Sequence, residues 1–204
     1  LTEPVKTLFN FILEARAQKL AQKLRPHLPP TGQVLDIGSG TGHTVQALRR
    51  STRLSFVEAD VVDMSVVGAG PILFADSRLP FCDEAFEGAF MTFVLQYVPD
   101  PIRLLAEARR VTKGRVLVLQ STYEGWRGRS ALACNEVLWG PVAFTAARLA
   151  RLIGECAFSL RPQQLFTRDE LHRVIRSAGL RLEVMHAEKW PGLPVSCDLL
   201  ILES

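Results

Sequence analysis

The chain has little that would mark it as a disulfide scaffold, a metal centre or a polyanion binder. Its 204 residues include only four cysteines, Cys82, Cys134, Cys156 and Cys197, with no C-x-x-C pair. Its four histidines, His27, His43, His172 and His186, complete no metal-ligand spacing. A domain of this length needs no covalent staples, so the cysteines are expected to be reduced thiols in a cytoplasmic protein that carries no metal. Only five lysines are present and the net charge is +3, too small to imply a polyanionic partner. No Asn/Asp-Pro-Pro-Tyr/Phe segment, no Pro-Cys dipeptide and no arginine cluster interleaved with aromatics occurs, which argues against a nucleic-acid substrate. Neither Tyr97 nor Tyr123 has a lysine four residues on, so the Tyr-x-x-x-Lys of short-chain nicotinamide reductases is missing.

Long hydrophobic runs are also missing. The longest mainly apolar stretch free of charge, Val137 to Ala147, is about half of the ~20 residues a membrane-spanning helix needs. No transmembrane segment is expected, which leaves peripheral membrane contact open. No repeat of 20 to 50 residues is visible. What is there is globular: 48% of residues are hydrophobic and 22% charged, which suits a single core and a single domain. Nine arginines lie between Arg127 and Arg181, most simply as a solvated basic face.

Periodicity then divides the chain. Val5, Leu8, Phe9, Ile12, Leu13, Leu20 and Leu24 recur at helical spacing until Pro26 ends the pattern. Short β-branched runs follow at Gln33–Ile37, Leu54–Glu58, Ile72–Ala75, Ala89–Val94 and Arg115–Gln120. Their alternation with helical stretches predicts βαβ units and a parallel sheet. Ile102, Leu105, Ala108 and Val111 line one helix after the Pro99-Asp100-Pro101 turn, and Thr167 with Glu170 forms a capping box that starts another, stopped by Gly179. Two further strands, Leu182–His186 and Leu199–Glu203, bring the count to seven. Residues 121–166 break the alternation with a helical insertion holding Tyr123, Trp126, Trp139, Phe144, Phe158 and Phe166. Its apolar face either packs on the sheet or forms a wall facing a ligand.

The strongest local signal is Asp36-Ile37-Gly38-Ser39-Gly40-Thr41-Gly42, a strand running into a glycine loop and then a helix. Such glycines permit positive-φ turns and let a ligand approach backbone N–H groups at the helix mouth. Glu58 and Asp60 stand 20 and 22 residues after Gly38, the distance at which a strand-end acid takes ribose hydroxyls in mononucleotide-binding folds. Asp76 ends the third strand and opens Asp76-Ser77-Arg78-Leu79-Pro80-Phe81, where a carboxylate could accept from an adenine amino group.

Taken together, these segments resemble the class I S-adenosylmethionine-dependent methyltransferases, in particular the small-molecule group that includes the ubiquinone and menaquinone methyltransferases. Asp36 to Gly42 resembles the family's first motif and Asp76 to Phe81 its D-x-x-x-L-P-F segment. Asp83–Phe90 with Phe93 to Pro101 is similar to its fourth-strand block, and Phe166-Thr167-Arg168-Asp169-Glu170-Leu171 to its F-T-x-x-E-L helix start. The resemblance implies a Rossmann-like α/β fold, a seven-stranded mostly parallel sheet with helices on both faces and the last strand antiparallel. Within one domain it implies residues 1–29 as an N-terminal helical cap, 30–122 as the cofactor-binding core, 123–165 as a helical cap insertion and 166–204 as the closing helix and strands. S-adenosylmethionine is the cofactor it implies. Gly38, Ser39 and Gly40 would approach the methionine end, oriented by Asp36, with Asp60 on the ribose and Asp76 and the Ser77 backbone on adenine. Thr41, Gly42, Glu58, Arg78 and Phe93 complete the expected cofactor contacts.

The expected activity is methyl transfer to a small, apolar or amphipathic acceptor held by Gln96, Tyr97, Tyr123 and Trp126, in a monomer or homodimer. A sulfonium methyl is already activated, so close approach and exclusion of water matter more than a catalytic side chain. Where relatives commonly carry His-His, this chain has Gln96-Tyr97. Tyr97, His186 and Tyr123 are the candidate general bases, while His43 is read as a helix-start residue. A cofactor-binding but inactive regulatory subunit, an RNA or protein methyltransferase and an aminopropyl transferase are the alternatives.

Overall fold

A computed structural model describes residues 3–75, 77–134, 162–189, 192 and 194–203, with side chains from residue 10 onward. The seven predicted strands are present as β1 (Gln33–Ile37), β2 (Ser55–Asp60), β3 (Ile72–Leu73), β4 (Gly88–Thr92), β5 (Val116–Tyr123), β6 (Arg181–Lys189) and β7 (Val195–Glu203). They form one sheet in the order β3-β2-β1-β4-β5-β7-β6. β1 to β5 pair in parallel, whereas β7 runs antiparallel to both β5 and β6. The expected Rossmann-like α/β architecture with an antiparallel last strand is what the chain adopts.

Two helical layers cover the sheet, and the alternation of side chains along each strand decides which face meets which. Odd positions of β5, Leu117 and Leu119, join Val34, Phe56, Phe90, Leu199 and Ile201 against α1 (Glu3–Leu24) and α2 (His43–Ser51). Even positions, Val116 and Val118, join Leu35, Ile37, Met91, Leu200 and Leu202. On that face lie α3 (Pro101–Val111) and a C-terminal helix (Arg168–Ser177). Between those two helices in sequence, residues 125–134 form a further helix, α4, so the C-terminal one is α5. Each fully buried Leu or Phe of these clusters contributes roughly 1.5–3 kcal/mol.

Local chemistry sets the helix ends as read from the sequence. Asp100 caps α3 by accepting from the Arg103 amide at 3.0 Å, with Pro101 at the first turn where no donor is needed. At α5 the Thr167–Glu170 capping box is complete. Loss of such a cap costs about 1 kcal/mol.

Three elements differ from expectation. The α1 stripe that is buried is Ala17, Ala21 and Leu24, while Ile12 is exposed, because small alanines allow the helix to lie close on the sheet layer. β3 is cut to two residues because the chain bends into a turn, with the Arg78 amide donating to Ala75 O at 3.0 Å. The connection from β2 to β3, residues 61–71, is a loop instead of a helix. Asp76, Cys156 and residues 135–161 of the insertion, with Trp139, Phe144 and Phe158, lie outside the described residues. Among the described residues no helix is long and apolar enough to cross a membrane, and no group of three or more His, Cys, Asp or Glu is arranged to hold a metal.

Candidate functional site

The sheet order reverses between β1 and β4, and in open α/β sheets the crevice outside such a reversal is where ligands bind. The β1–α2 loop fills one side of it. Gly38, Gly40 and Gly42 all have positive φ, at 77°, 55° and 78°. Their surroundings differ. A Cβ on Gly38 would strike the Val94 side chain, and one on Gly42 would strike Val67 O, so both are close-packing positions. At Gly40 a Cβ would meet nothing within 4 Å. The loop is thus anchored at both ends and open in the middle.

Asp60 supports that open middle. The Gly40 amide donates to Asp60 Oδ2 at 2.8 Å and the Val61 amide to Oδ1 at 2.7 Å. Burial raises the Asp60 carboxyl pKa, opposed by these amides and that of Val62. Each oxygen can still accept a further hydrogen bond. Glu58, two residues back on the same strand, has a different use: Arg49 of α2 pairs with its Oε1 at 3.0 Å and also donates to Phe56 O at 3.2 Å. The structure commits Glu58 to joining α2 and β2, beneath Gly42 and Gly68.

Asp36 is fully buried at the end of β1, beside Glu58 in register. Its Oδ1 has no hydrogen-bond partner, nor does the buried Ser39 Oγ. Burial first, then Glu58 and Asp60, push its pKa well above the usual carboxylate range. An unpaired buried polar atom costs about 1–3 kcal/mol, and two of them lie next to the open glycine. Thr41 is turned to the protein, its carbonyl accepting from Val66 N at 3.1 Å and its Oγ1 contacting His43 Nδ1 at 3.0 Å.

On the opposite lip Phe93 follows β4 with φ 57°, a conformation that non-glycine residues rarely hold. It is secured by donating to Leu119 O at 2.7 Å. Ser77 also has positive φ, 56°, at the corner of the Ala75–Arg78 turn. Arg110 fixes the segment that follows, donating to Leu79 O, Phe81 O, Glu107 and Asp83.

A match to a methyltransferase-domain family extends over residues 9–184. The chain belongs to that methyltransferase-domain family. Curated relatives include an uncharacterized methyltransferase of Mycobacterium leprae, 37% identical over 109 residues, 49% of this chain and 40% of the relative. A ubiquinone/menaquinone biosynthesis C-methyltransferase of Desulfotalea psychrophila is 31% identical over 106 residues, 46% of this chain and 43% of the relative. The chain thus spans about two fifths of the length of such relatives. Among solved structures, a SAM-dependent methyltransferase from Methanosarcina mazei aligns with TM-score 0.61 at 18% identity, covering 89% of this chain and 96% of that one. The geranyl diphosphate C-methyltransferase of Streptomyces coelicolor, solved with S-adenosyl-L-homocysteine, aligns with TM-score 0.62 at 15% identity, covering 91% and 78%. These likenesses concern the fold, since the cyclase SpnF aligns with TM-score 0.64 at 14% identity over 92% and 81%.

Within this methyltransferase domain the predicted acceptor residues divide. Gln96 and Tyr97 lie in a 3-10 turn (Leu95–Tyr97) just beyond Phe93. Gln96 is buried and its Oε1 accepts from Gln120 Nε2 at 2.8 Å. Gln163 and Gln164 also donate their backbone amides to Gln96 O. Tyr123 closes β5, and Trp126 is 78% exposed on α4. His186 is not brought to the crevice: it sits on the outer edge strand β6, its ring 5.2 Å from that of His27. His43 is buried against Thr41, with its pKa lowered mainly by burial. Sequence reasoning missed Arg16, whose guanidinium lies 5.3 Å from the centre of the Phe93 ring, and Gln120, buried with its Oε1 unpartnered. No spacing links Arg16 of α1 to Phe93 after β4, or Gln120 of β5 to Gln96, so neither had a signal.

Proposed function

We propose that this protein transfers the methyl group of S-adenosylmethionine to a small, apolar or amphipathic acceptor by in-line displacement. The observation that carries the reading is Gly40: open space where a Cβ would stand, beside the orphaned Asp36 Oδ1 and Ser39 Oγ and above a carboxylate that its own amide orients. Unmet polar atoms around a cleared backbone suit a ligand with both donors and a flat edge to lay on the glycines.

When bound, the cofactor supplies a methyl already activated by a sulfonium. Asp36 and Ser39 offer acceptors to the methionine end, and Asp60 accepts from the two ribose hydroxyls. Asp76 and the Ser77 backbone take the adenine side, with Thr41, Gly42 and Arg78 framing the pocket and Phe93 closing it. Glu58 acts through Arg49, holding α2 to the sheet. Gln96, Tyr97, Tyr123 and Trp126 are the proposed contacts to the acceptor. Tyr97 and Tyr123 are the proposed bases for an acceptor proton; positioning and exclusion of water supply most of the rate enhancement. Relatives named for quinone biosynthesis support an apolar acceptor.

The test is thermal unfolding with S-adenosylhomocysteine, with NADH and with neither. Ligand at about 100 times its Kd adds about 2.7 kcal/mol, a shift of roughly 5–10 °C for a domain of this size. Stabilisation by S-adenosylhomocysteine alone, lost in Asp60→Ala, together with transfer of labelled methyl into an organic-extractable acceptor, supports the proposal. Absence of a shift with S-adenosylhomocysteine overturns it.

A further inference from the structure

We propose that Gln120 of β5 recognises the methyl acceptor through its side-chain oxygen, and so selects an acceptor that carries a hydroxyl or N–H donor; this rests on the methyl-transfer reading above and specifies the chemistry of its acceptor. Among the described residues, the buried side-chain atoms without a hydrogen-bond partner are Asp36 Oδ1, Ser39 Oγ, Thr112 Oγ1, Gln120 Oε1 and His172 Nε2. The first two belong to the cofactor loop. Thr112 ends α3 beside Phe86, before the amino end of β4, and His172 lies within α5. Of these, Gln120 alone stands toward the carboxyl end of the sheet on the side of β4 away from the glycine loop.

The strand register sets that place. Thr92, the last residue of β4, pairs with Leu119, so Gln120 is the first residue of β5 beyond the end of β4. The chain leaves β4 through Phe93 and Val94, and Val94 fills the space where Gly38 would carry a Cβ. The Leu95–Tyr97 turn comes next, and Gln120 meets it from β5, its Nε2 donating to Gln96 Oε1 at 2.8 Å. In-line displacement puts the acceptor on the side of the methyl opposite the sulfur. A cofactor laid along Gly38–Gly40 therefore leaves the β5 side of the turn to the acceptor. The Gln120 amide is held there by its nitrogen, which fixes the direction of its unpartnered oxygen. Gln120 is 1% exposed and Gln96 2%. Two residues further along the same face of β5, Thr122 bonds to Ser196 and Asp198, and Arg168 bonds to both of these, so the polar groups beyond Gln120 satisfy one another. An amide oxygen accepts a hydrogen bond without taking the proton, so Gln120 binds the acceptor and is not its base. Such a site favours a ligand with an O–H or N–H over a similar one without it, because without the donor a buried oxygen stays unpaired.

Fluorescence titration of the S-adenosylhomocysteine-loaded protein with 1-naphthol and 1-methoxynaphthalene tests this, since both have the same apolar rings and an oxygen but only the first has a donor. The readout is the ratio of the two Kd values in wild type, Gln120→Met and Gln120→Glu; comparing ratios between variants cancels the difference in hydrophobicity between the probes. Gln120→Met, similar in shape but without the oxygen, is expected to cut the preference for 1-naphthol about tenfold. Gln120→Glu, which keeps an acceptor oxygen, should retain it. An equal ratio in wild type and Gln120→Met overturns the inference, as does a wild type that binds neither probe. A loss of preference in Gln120→Glu as large as in Gln120→Met also overturns it and marks Gln120 as a support for the Gln96 turn. S-Adenosylhomocysteine itself is titrated first, and all three proteins should bind it within about twofold of one another because the substitution lies outside the cofactor loop. If wild type does not bind it, the methyl-transfer reading has failed, and the inference falls with it.

Discussion

Gly40 and Asp60 are joined beyond the carboxyl ends of the neighbouring strands β1 and β2: the glycine amide donates to the Asp60 carboxylate at 2.8 Å. The bond makes loop and acid one unit, so a ligand on the loop finds the carboxylate already aimed. Asp60→Ala is expected to lower S-adenosylhomocysteine affinity by about 10²-fold, as two charge-assisted hydrogen bonds to ribose disappear. Glu58→Gln should instead lower Tm through its weakened bond to Arg49 while affinity changes less than threefold. Calorimetry and thermal unfolding on both variants separate the roles; equal affinity losses would refute the assignment.

Gly38 and Gly40 make a second contrast. Alanine at Gly40 meets no protein atom, so Gly40→Ala should fold at a cost of about 1 kcal/mol for the left-handed backbone and bind S-adenosylhomocysteine poorly. Alanine at Gly38 collides with Val94 and should cost distinctly more stability. Denaturant midpoints and ligand titrations give the check, and an unimpaired Gly40→Ala would mean that no ligand approaches this backbone.

Asp36 couples stability to pH. Its folded pKa is raised, by burial first and by Glu58 and Asp60 next. A carboxyl raised in this way stabilises the fold fully only below its unfolded value and loses that contribution as pH climbs through the folded one. Asp36→Asn escapes the loss. Its ligand-free Tm should exceed that of wild type at pH 8 and approach it at pH 5, by an amount equivalent to about 1–3 kcal/mol at the upper end. Weaker S-adenosylhomocysteine binding should accompany the gain. Calorimetric scans from pH 5 to 8 read this directly, and a Tm difference that does not vary with pH would show that Asp36 is ionised in the folded chain throughout that range and that its carboxyl is not raised.

The end of β5 holds a buried polar cluster. Asp198, wholly enclosed, accepts from Thr122 Oγ1 at 2.7 Å and from Arg168 Nε at 3.1 Å. Arg168→Met should cost about 3 kcal/mol by stranding that carboxylate, and Asp198→Leu added to it should recover much of the loss. Urea midpoints of the single and double variants decide; additive losses would argue against coupling.

Strand count, glycine loop, strand-end acids and both helix caps were legible because they depend on short-range chemistry. Positive φ at Gly38, Gly40 and Gly42 needs no knowledge of the rest of the chain, and the Thr167–Glu170 box spans a single helical turn. The sequence likewise carried the acid at Asp60, since its distance from Gly38 is set by one βα unit. Tertiary structure alone decided how equivalent-looking residues are used. Glu58 and Asp60 look interchangeable along the strand, but only Glu58 meets Arg49 of α2, and only Asp60 meets the Gly40 amide. His186 reads as a base until the strand order places it on the outer edge beside His27. Arg16 and Phe93 are 77 residues apart and become neighbours because α1 crosses the sheet face. Periodicity reports which residues are buried; which partners they are buried against is fixed by the packing of elements distant in sequence.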